Sequence, residues 1–302
     1  MRSIQNQFFD DIEIIFIDDL SKDNSIKIIK KYQKEDNRII LLKNKKNKGT
    51  FISRNIGALK SKGEYLIFPD SDDILSQKIL PLCYRTAKKY NYEMIRFNMY
   101  SEKYFIFSII PYNLTNLIFQ PELRTYLIYG LGYESLIDGI ISNKFIQRLA
   151  FIKTINDINN YYLNQSMIYF EDGLINFALH LRVKSLFLLK KIGYYYFFNK
   201  KSVSRTVNTN RYINNFFLYL KYLLENTKNT KLEKNMIFFL LNLYIIDNNL
   251  LNTITEDFDM YNKIFCSLLK NKFITPKNKI KVNNLKRIIF NVQNKNKANY
   301  KK

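Results

Sequence analysis

Asp70-Ser71-Asp72-Asp73 places three carboxylates within four residues, directly after the apolar run Tyr65-Leu66-Ile67-Phe68. Asp70 and Asp72, two apart, can turn their oxygens toward one point, as a hard cation requires. Mg²⁺ commonly takes one or two carboxylates and completes its shell with substrate phosphates. The plainer alternative is an acidic turn that caps a helix near Ser76. Two further acidic pairs stand at element ends: Asp18-Asp19 after the apolar run 12–17, and Glu171-Asp172 ahead of a helix with an apolar face. Each pair could equally serve the dipole of a helix that follows it. Arg54 carries a forked guanidinium suited to an anionic or planar partner. The single histidine, His180, falls inside a helix and reads as a buried side chain rather than a ligand.

The elements that must position these groups follow from periodicity. Residues 12–17, 38–42, 64–68 and 94–97 read as strands, short apolar runs with β-branched or aromatic members. Between them, helices are expected after Ser25, with Ser21 or Asp23 as cap, after Gly49 and over 78–90. Strand, helix, strand at this spacing implies parallel βαβ units. Ligand sites in such sheets lie outside the carboxyl ends of the strands, where Asp18, Asp19 and Asp70 stand. Further on, 104–110 reads as a strand, 122–131 and 136–154 as helices, and 185–189 with 194–198 as a pair of closing strands. Beyond Arg205 the pattern is helical over 212–224, 232–246 and 259–269.

Composition narrows the classes. With 302 residues, 47% of them hydrophobic, the chain can bury a large core, and 8 Gly with 5 Pro argue against a linker-rich protein. Cys83 and Cys266 lack metal-ligand spacing and read as buried fillers in a reducing compartment. No basic-then-apolar leader opens the chain and no apolar run reaches about 18 residues. The net charge is +22, and no acidic residue follows Asp259 while twelve Lys or Arg do. That field suits nucleic acid, anionic lipid or phosphorylated substrates and does not choose among them. A cytoplasmic protein touching a membrane at its periphery is the expectation. Aromatics are too sparse among the tail lysines for nucleic acid to be expected as a partner.

Four segments, in order, resemble the family 2 glycosyltransferases of GT-A fold: IFIDDLSKDNS, NKGTFISRNIG, SKGEYLIFPDSDD and YFEDGLINFALHL. The resemblance implies a Rossmann-like, mostly parallel α/β sheet flanked by helices over residues 1–205, followed by a helical region with a basic tail over 206–302. It implies transfer of one sugar from a nucleoside-diphosphate donor to a hydroxyl of a glycan, lipid or protein, with inversion. By resemblance Asp19, with Asp18 beside it, meets the base of the donor and Arg54 helps to hold the nucleotide. Asp70 and Asp72 look like ligands of a divalent cation, Mn²⁺ or Mg²⁺, and Asp70 also lies against the donor. Asp172 looks like the general base, with Glu171 as the alternative, and Asp73 like a structural helix-start residue.

The family opens with a strand and helix ahead of what is here residue 1. That unit, about thirty residues by the size of half a βαβ crossover, has no counterpart, and Ser3–Gln7 reads as the end of its helix. The strand at 12–17 is therefore expected to keep one open edge. A second reading follows, an inactive or fragmentary relative that binds anionic surfaces. A third is a haloacid-dehalogenase-type phosphatase with Asp70 as nucleophile. It is disfavoured by Asp73-Ile74, where that family has Gly-Thr or a similar pair.

Overall fold

A computed structural model of the chain describes residues 1–101, 140–161, 167–197 and 209–227. The expected elements at 104–110, 122–131, 232–246 and 259–269, and the basic tail, lie outside these residues. The order is α1 (Arg2–Gln5), β1 (Ile14–Asp18), α2 (Ser25–Glu35), β2 (Ile39–Lys43), α3 (Gly49–Lys60), β3 (Tyr65–Leu66), β4 (Ile74–Leu75), α4 (Ile79–Tyr90), β5 (Met94–Ser101), β6 (Lys144–Gln147), α5 (Arg148–Tyr161), α6 (Glu171–Arg182), β7 (Leu186–Tyr196) and α7 (Thr209–Thr227). The chain divides into two compact units, Met1–Arg124 with Ile137–Lys200, and Thr125–Leu136 with Lys201–Lys302. In the second, α7 buries Tyr219, Tyr222 and Leu223, three and four residues apart on one helical stripe.

The α/β class stands, but the expected mostly parallel sheet is mixed. β1 and β2 pair in parallel across the α2 crossover. The other five strands run in the order β3-β6-β5-β7-β4. There β5 and β7 are parallel, while β3–β6, β5–β6 and β4–β7 are antiparallel. A helix between two strands enforces parallel pairing only where those strands become neighbours. Consecutive members of the run from β2 to β5 never do. On its other edge β1 has no strand partner among the described residues.

Three local expectations change. The helix expected over 136–154 begins only at Arg148, because 144–147 is strand β6, buried on both faces. Lys144 there is fully buried, and its Nζ donates to the Ile140 carbonyl at 2.6 Å. The two closing strands are one, β7. The interruption at Lys190–Gly193 is a bulge against β5, where Phe97 pairs with Leu189 and Asn98 with Ile192. The 64–68 strand shortens to Tyr65–Leu66, and a two-residue strand β4 follows the acidic turn.

The core of the first unit gathers Leu75, Ile79, Cys83, Ile95, Phe97 and Tyr194, with Ile4, Phe9 and Ile12 of the N-terminal segment packed against it. Polar ties fix that segment. Gln7 donates to the carbonyls of Ser3 and Ser76 at 2.8 and 2.9 Å. Asp36 accepts from Gln5 at 3.1 Å and from Arg38, whose Nη2 also reaches the Gln5 carbonyl at 3.1 Å. Glu13, just before β1, accepts the backbone N–H groups of Lys62 and Gly63 at 2.5 and 2.7 Å. Where no strand pairs with β1, one carboxylate thus joins it to the chain entering β3. Burial pushes the Cys83 thiol far above its usual range, as an inert filler requires.

Candidate active site

Helix α3 sets the site's geometry. Its first turn is fastened to the end of β1 by Asp19, whose carboxylate accepts the N–H of Lys48 at 2.8 Å, the N–H of Gly49 at 2.7 Å and the Asn44 side chain at 2.8 Å. The Lys48 and Gly49 N–H groups are donors that a helix start leaves without intrahelical partners. The carboxylate also sits at the positive end of the helix dipole. Gly49 has φ +82°, in the left-handed region that favours glycine. Asp18 is buried and accepts the Ser21 N–H at 3.2 Å. The Asp18-Asp19 pair therefore serves helix α3 and its own turn, not the start of α2. Leu20, which follows the pair, takes φ 67° with half its surface exposed.

From α3, Arg54 projects into a group of carboxylates contributed by two other elements. Its Nη1 donates to Asp172 and, at 3.5 Å, to Glu171, both in the first turn of α6; Nη2 donates to Asp70 at 3.1 Å. Burial opposes the Arg54 charge, but Asp172, Asp70 and Glu171 override it and hold the guanidinium protonated above its usual range. Burial, with Asp172 beside it, pushes Glu171 well above the ordinary carboxylate range against the pull of Arg54. Burial also raises Asp70, to about 6, against Arg54; 42% of its side chain still meets solvent, which tempers the effect. The carboxyl groups of Asp70, Asp72, Glu171 and Asp172 outnumber the one guanidinium, Arg54, among them. In a chain of net charge +22 this locality is anionic.

The loop before β6 closes the group from a third side. The Ser142 hydroxyl lies 3.4 Å from Asp70 Oδ2, and the Ile141 N–H lies 3.4 Å from Asp172 Oδ2. Both contacts are long, so the outer oxygens of Asp70 and Asp172 retain acceptor capacity. Phe170, just before Glu171, holds φ 64°, a conformation that costs a bulky residue about 1–2 kcal/mol.

The acidic turn is gripped by β7. Tyr194, fully buried, accepts the Asp70 N–H at 3.0 Å and donates to Asp73 at 2.5 Å; Asp73 also accepts the Phe197 N–H at 2.8 Å. Burial and the adjacent Asp70 and Asp73 charges hold the Tyr194 phenol far above its usual range, so it remains a donor. Asp73 is thus structural, as expected, but it ties a turn to a strand and starts no helix; α4 begins at Ile79 with Lys78 ahead of it. Asp72 stands exposed on the same turn.

Among the described residues no group of three His, Cys, Asp or Glu side chains is placed to hold a metal ion. Asp70 and Asp72 supply two hard oxygen donors on one turn. That donor set suits an ion of the Mg²⁺ kind, which completes its shell with phosphates rather than in an all-protein cage. The structure therefore brings Arg54, Asp70 and Asp172 together with Glu171, sets Asp72 on the adjoining turn, and leaves Asp18 and Asp19 at the other end of α3's first turns. Sequence reasoning did not find Tyr194, Ser142 or Asn44. Tyr194 lies among three consecutive tyrosines, and no local signal separates it from its neighbours. His180 is buried within α6, with Nδ1 against the Asn176 carbonyl at 2.6 Å.

A sequence model described as Glycosyl transferase family 2 matches residues 1–155, more than half of the chain. The chain belongs to that family. A cholesterol galactosyltransferase of Borreliella burgdorferi is 28% identical over 242 residues, covering 77% of this chain; the chain spans 63% of that relative's length. The fold is similar to that of S. aureus TarS residues 1–349 in complex with UDP-GlcNAc, at TM-score 0.68 and 16% identity over 99% of this chain and 86% of that one. It is also similar to a mannosyltransferase of Pyrobaculum calidifontis in complex with GDP-Man and Mn²⁺, at TM-score 0.51 and 8% identity over 98% and 81% of the two chains. These likenesses make the fold GT-A. No described helix is long and apolar enough to cross a membrane.

Proposed function

We propose that this family 2 glycosyltransferase transfers one sugar from a nucleoside-diphosphate donor to a hydroxyl acceptor, with inversion and with help from a divalent cation. The observation that carries the reading is the Asp70–Arg54–Asp172 group, which sets a cation-binding turn and a base candidate on either side of one arginine. The acceptor oxygen would bond to the anomeric carbon as the bond from that carbon to the diphosphate oxygen breaks, and the acceptor proton would pass to Asp172. Its Oδ2, met by only a long backbone contact, is the oxygen able to take that proton. Arg54 orients Asp172 through Oδ1 and remains beside the position of the departing diphosphate. A divalent cation at Asp70 and Asp72 would neutralise the charge of that diphosphate.

The donor and the cation draw support from the neighbours solved with UDP-GlcNAc, and with GDP-Man and Mn²⁺. The galactosyltransferase relative makes a lipid hydroxyl a natural first acceptor to try, beside glycan and protein hydroxyls. The basic tail favours a peripheral, anionic membrane setting for such an acceptor.

The test is titration with uridine diphosphate, with Mn²⁺ and with chelator, for the parent chain and for Asp72→Ala. Mn²⁺ should tighten binding about tenfold or more in the parent and much less in Asp72→Ala. Equal affinity in all conditions would overturn the metal-assisted reading. Sugar transfer from a panel of nucleotide sugars, abolished in Asp172→Asn, tests the base.

A further inference from the structure

The turn that carries Asp70 and Asp72 has one backbone bond of its own, the Asp73 N–H donating to the Asp70 carbonyl at 3.3 Å, and is otherwise held from outside. It leaves β3 after only two strand residues and enters β4 after Asp73. Beside the Arg54 bond to the Asp70 side chain, two anchors come from β7, about 120 positions further on. One is a short ladder, Ile74 with Tyr195 and Leu75 with Tyr194, continued by the Ser76 N–H donating to the Gly193 carbonyl at 2.9 Å. The other is the Tyr194 hydroxyl, which takes the Asp70 N–H and gives its own proton to Asp73. These two bonds bracket the turn, one at its first carboxylate residue and one at its last.

β7 itself has no slack at this point. A Cβ at Gly193 would lie 2.5 Å from Ile79 and 2.5 Å from Phe97, so the strand presses directly on the core there. The next residue, Tyr194, is fully buried. Its hydroxyl oxygen therefore stands at a place fixed by packing, not by the turn it grips. The ring fills the core whether or not it carries the oxygen. The oxygen's described bonds go only to the turn.

We propose that Tyr194 is a positioning residue for cation and donor binding: its hydroxyl, spanning the Asp70 N–H and the Asp73 carboxylate, holds residues 70–73 in the shape that presents Asp70 and Asp72 together. This rests on the metal-assisted reading of that pair. Two carboxylates two residues apart face one point in only a small part of the turn's conformational range. Fixing the backbone N–H of the first and the side chain of Asp73 removes most of the others before the cation arrives. The cation then need not order the turn at its own expense.

The decisive variant is Tyr194→Phe, which keeps the ring and deletes the oxygen. Asp73→Asn is the second, in case the first does not fold, because it alters the other end of the same bond. Tyr65→Phe is the control; that hydroxyl donates to the Tyr92 carbonyl at 3.3 Å, on a different contact. Uridine diphosphate affinity is measured with Mn²⁺ and with chelator, beside thermal melting. The expected result is that the Mn²⁺-dependent gain falls about tenfold in Tyr194→Phe and in Asp73→Asn, with metal-free affinity unchanged and the gain intact in Tyr65→Phe. Retention of the parent's full gain by both variants would overturn the proposal. So would an equal loss of metal-free affinity, the mark of a merely structural tyrosine. A parent chain that shows no Mn²⁺ gain would sink the metal-assisted reading itself and this inference with it, an outcome visible without any variant.

Discussion

Arg54 and Asp172, 118 positions apart, close an ion pair between helix α3 and the first turn of α6. The same guanidinium reaches Asp70, so the candidate base and the candidate cation ligand share one cation. That side chain is only 11% exposed. Removing one partner from a buried charge group typically costs about 3–5 kcal/mol, since the others are left uncompensated. Arg54→Ala should therefore lose stability near the lower end of that range, because Asp70 can still turn to water. Arg54→Lys should fold but transfer sugar at least tenfold more slowly, since a point charge cannot bridge Asp70 and Asp172 as the planar fork does. Urea unfolding and transfer from the nucleotide-sugar panel check the two. In the double variant Arg54→Ala with Asp172→Asn, the stability loss should be smaller than the sum of the single losses.

Helix α4 was legible in the sequence to within a residue, and so was the start of α3, because Phe51, Ile79 and Cys83 sit on buried faces of 3.6-residue period. β4 and β6 were not. Strands of two and four residues are too short for any period to declare itself, and Lys144 breaks the apolar run. Pairing direction was invisible as well: it depends on which strands become neighbours, and no local pattern in β3 or β5 records that. For the site, motif resemblance picked out Arg54, Asp70 and Asp172 separately. That the arginine near Asp70 also serves Asp172, or that Tyr194 grips the acidic turn, is set by contacts more than 100 positions long. Asp19 shows the opposite limit. Its position was read correctly as an element end, but its bonds go to α3 across a strand, not to the adjacent helix.

Asp36 gives a pH signature independent of the site. Hydrogen bonds from Arg38, above all, and then Gln5 hold its carboxyl well below the ordinary carboxylate range in the folded chain, against burial. A depressed folded value means that the stabilisation is fully present above the unfolded pKa near 3.9 and is lost as pH falls through the folded value. Asp36→Asn should cost about 1–2 kcal/mol at pH 7, since hydrogen bonds to charged groups contribute about 1.5–3 and Arg38 still meets water. The difference should shrink below pH 4. Urea midpoints for both chains at pH 7 and pH 3 decide it; a gap undiminished at pH 3 contradicts the assignment.

Leu20 offers a stabilising change. Its φ of 67° puts an L-residue with a Cβ in the left-handed region, which costs roughly 1–2 kcal/mol. Glycine removes that cost but loses more freedom on folding, by roughly 0.5–1 kcal/mol. Relief exceeds loss, so Leu20→Gly should raise stability by about 0.5–1 kcal/mol. A lower urea midpoint would show that the exposed leucine side chain has packing value that the backbone argument omits.

The basic C-terminal stretch makes a prediction from charge alone. Twelve Lys or Arg and no acid after Asp259 should adhere to anionic surfaces, with a strength that falls steeply between low and physiological salt. Deleting 270–302 should weaken sedimentation with acidic vesicles several-fold at low ionic strength, and change little with zwitterionic ones. Equal adhesion of truncated and full chains would reduce the tail to solvated charge.

The role of Asp19 separates two accounts that otherwise look alike. If its carboxylate only awaits a donor's base, Asp19→Asn should leave stability untouched and weaken uridine diphosphate binding. The structure shows both oxygens already taken, by Asn44, Lys48 and Gly49. An asparagine offers one acceptor oxygen and points an NH₂ at the remaining donor, so at least one backbone N–H loses its partner. Loss of a charged acceptor at a helix start costs about 1–2 kcal/mol. We expect that loss in urea unfolding. Because α3 carries Arg54 one and a half turns further on, we also expect slower sugar transfer from any donor the parent chain accepts. A variant with unchanged stability and weakened nucleotide binding would return Asp19 to direct donor contact and remove it from the support of Arg54.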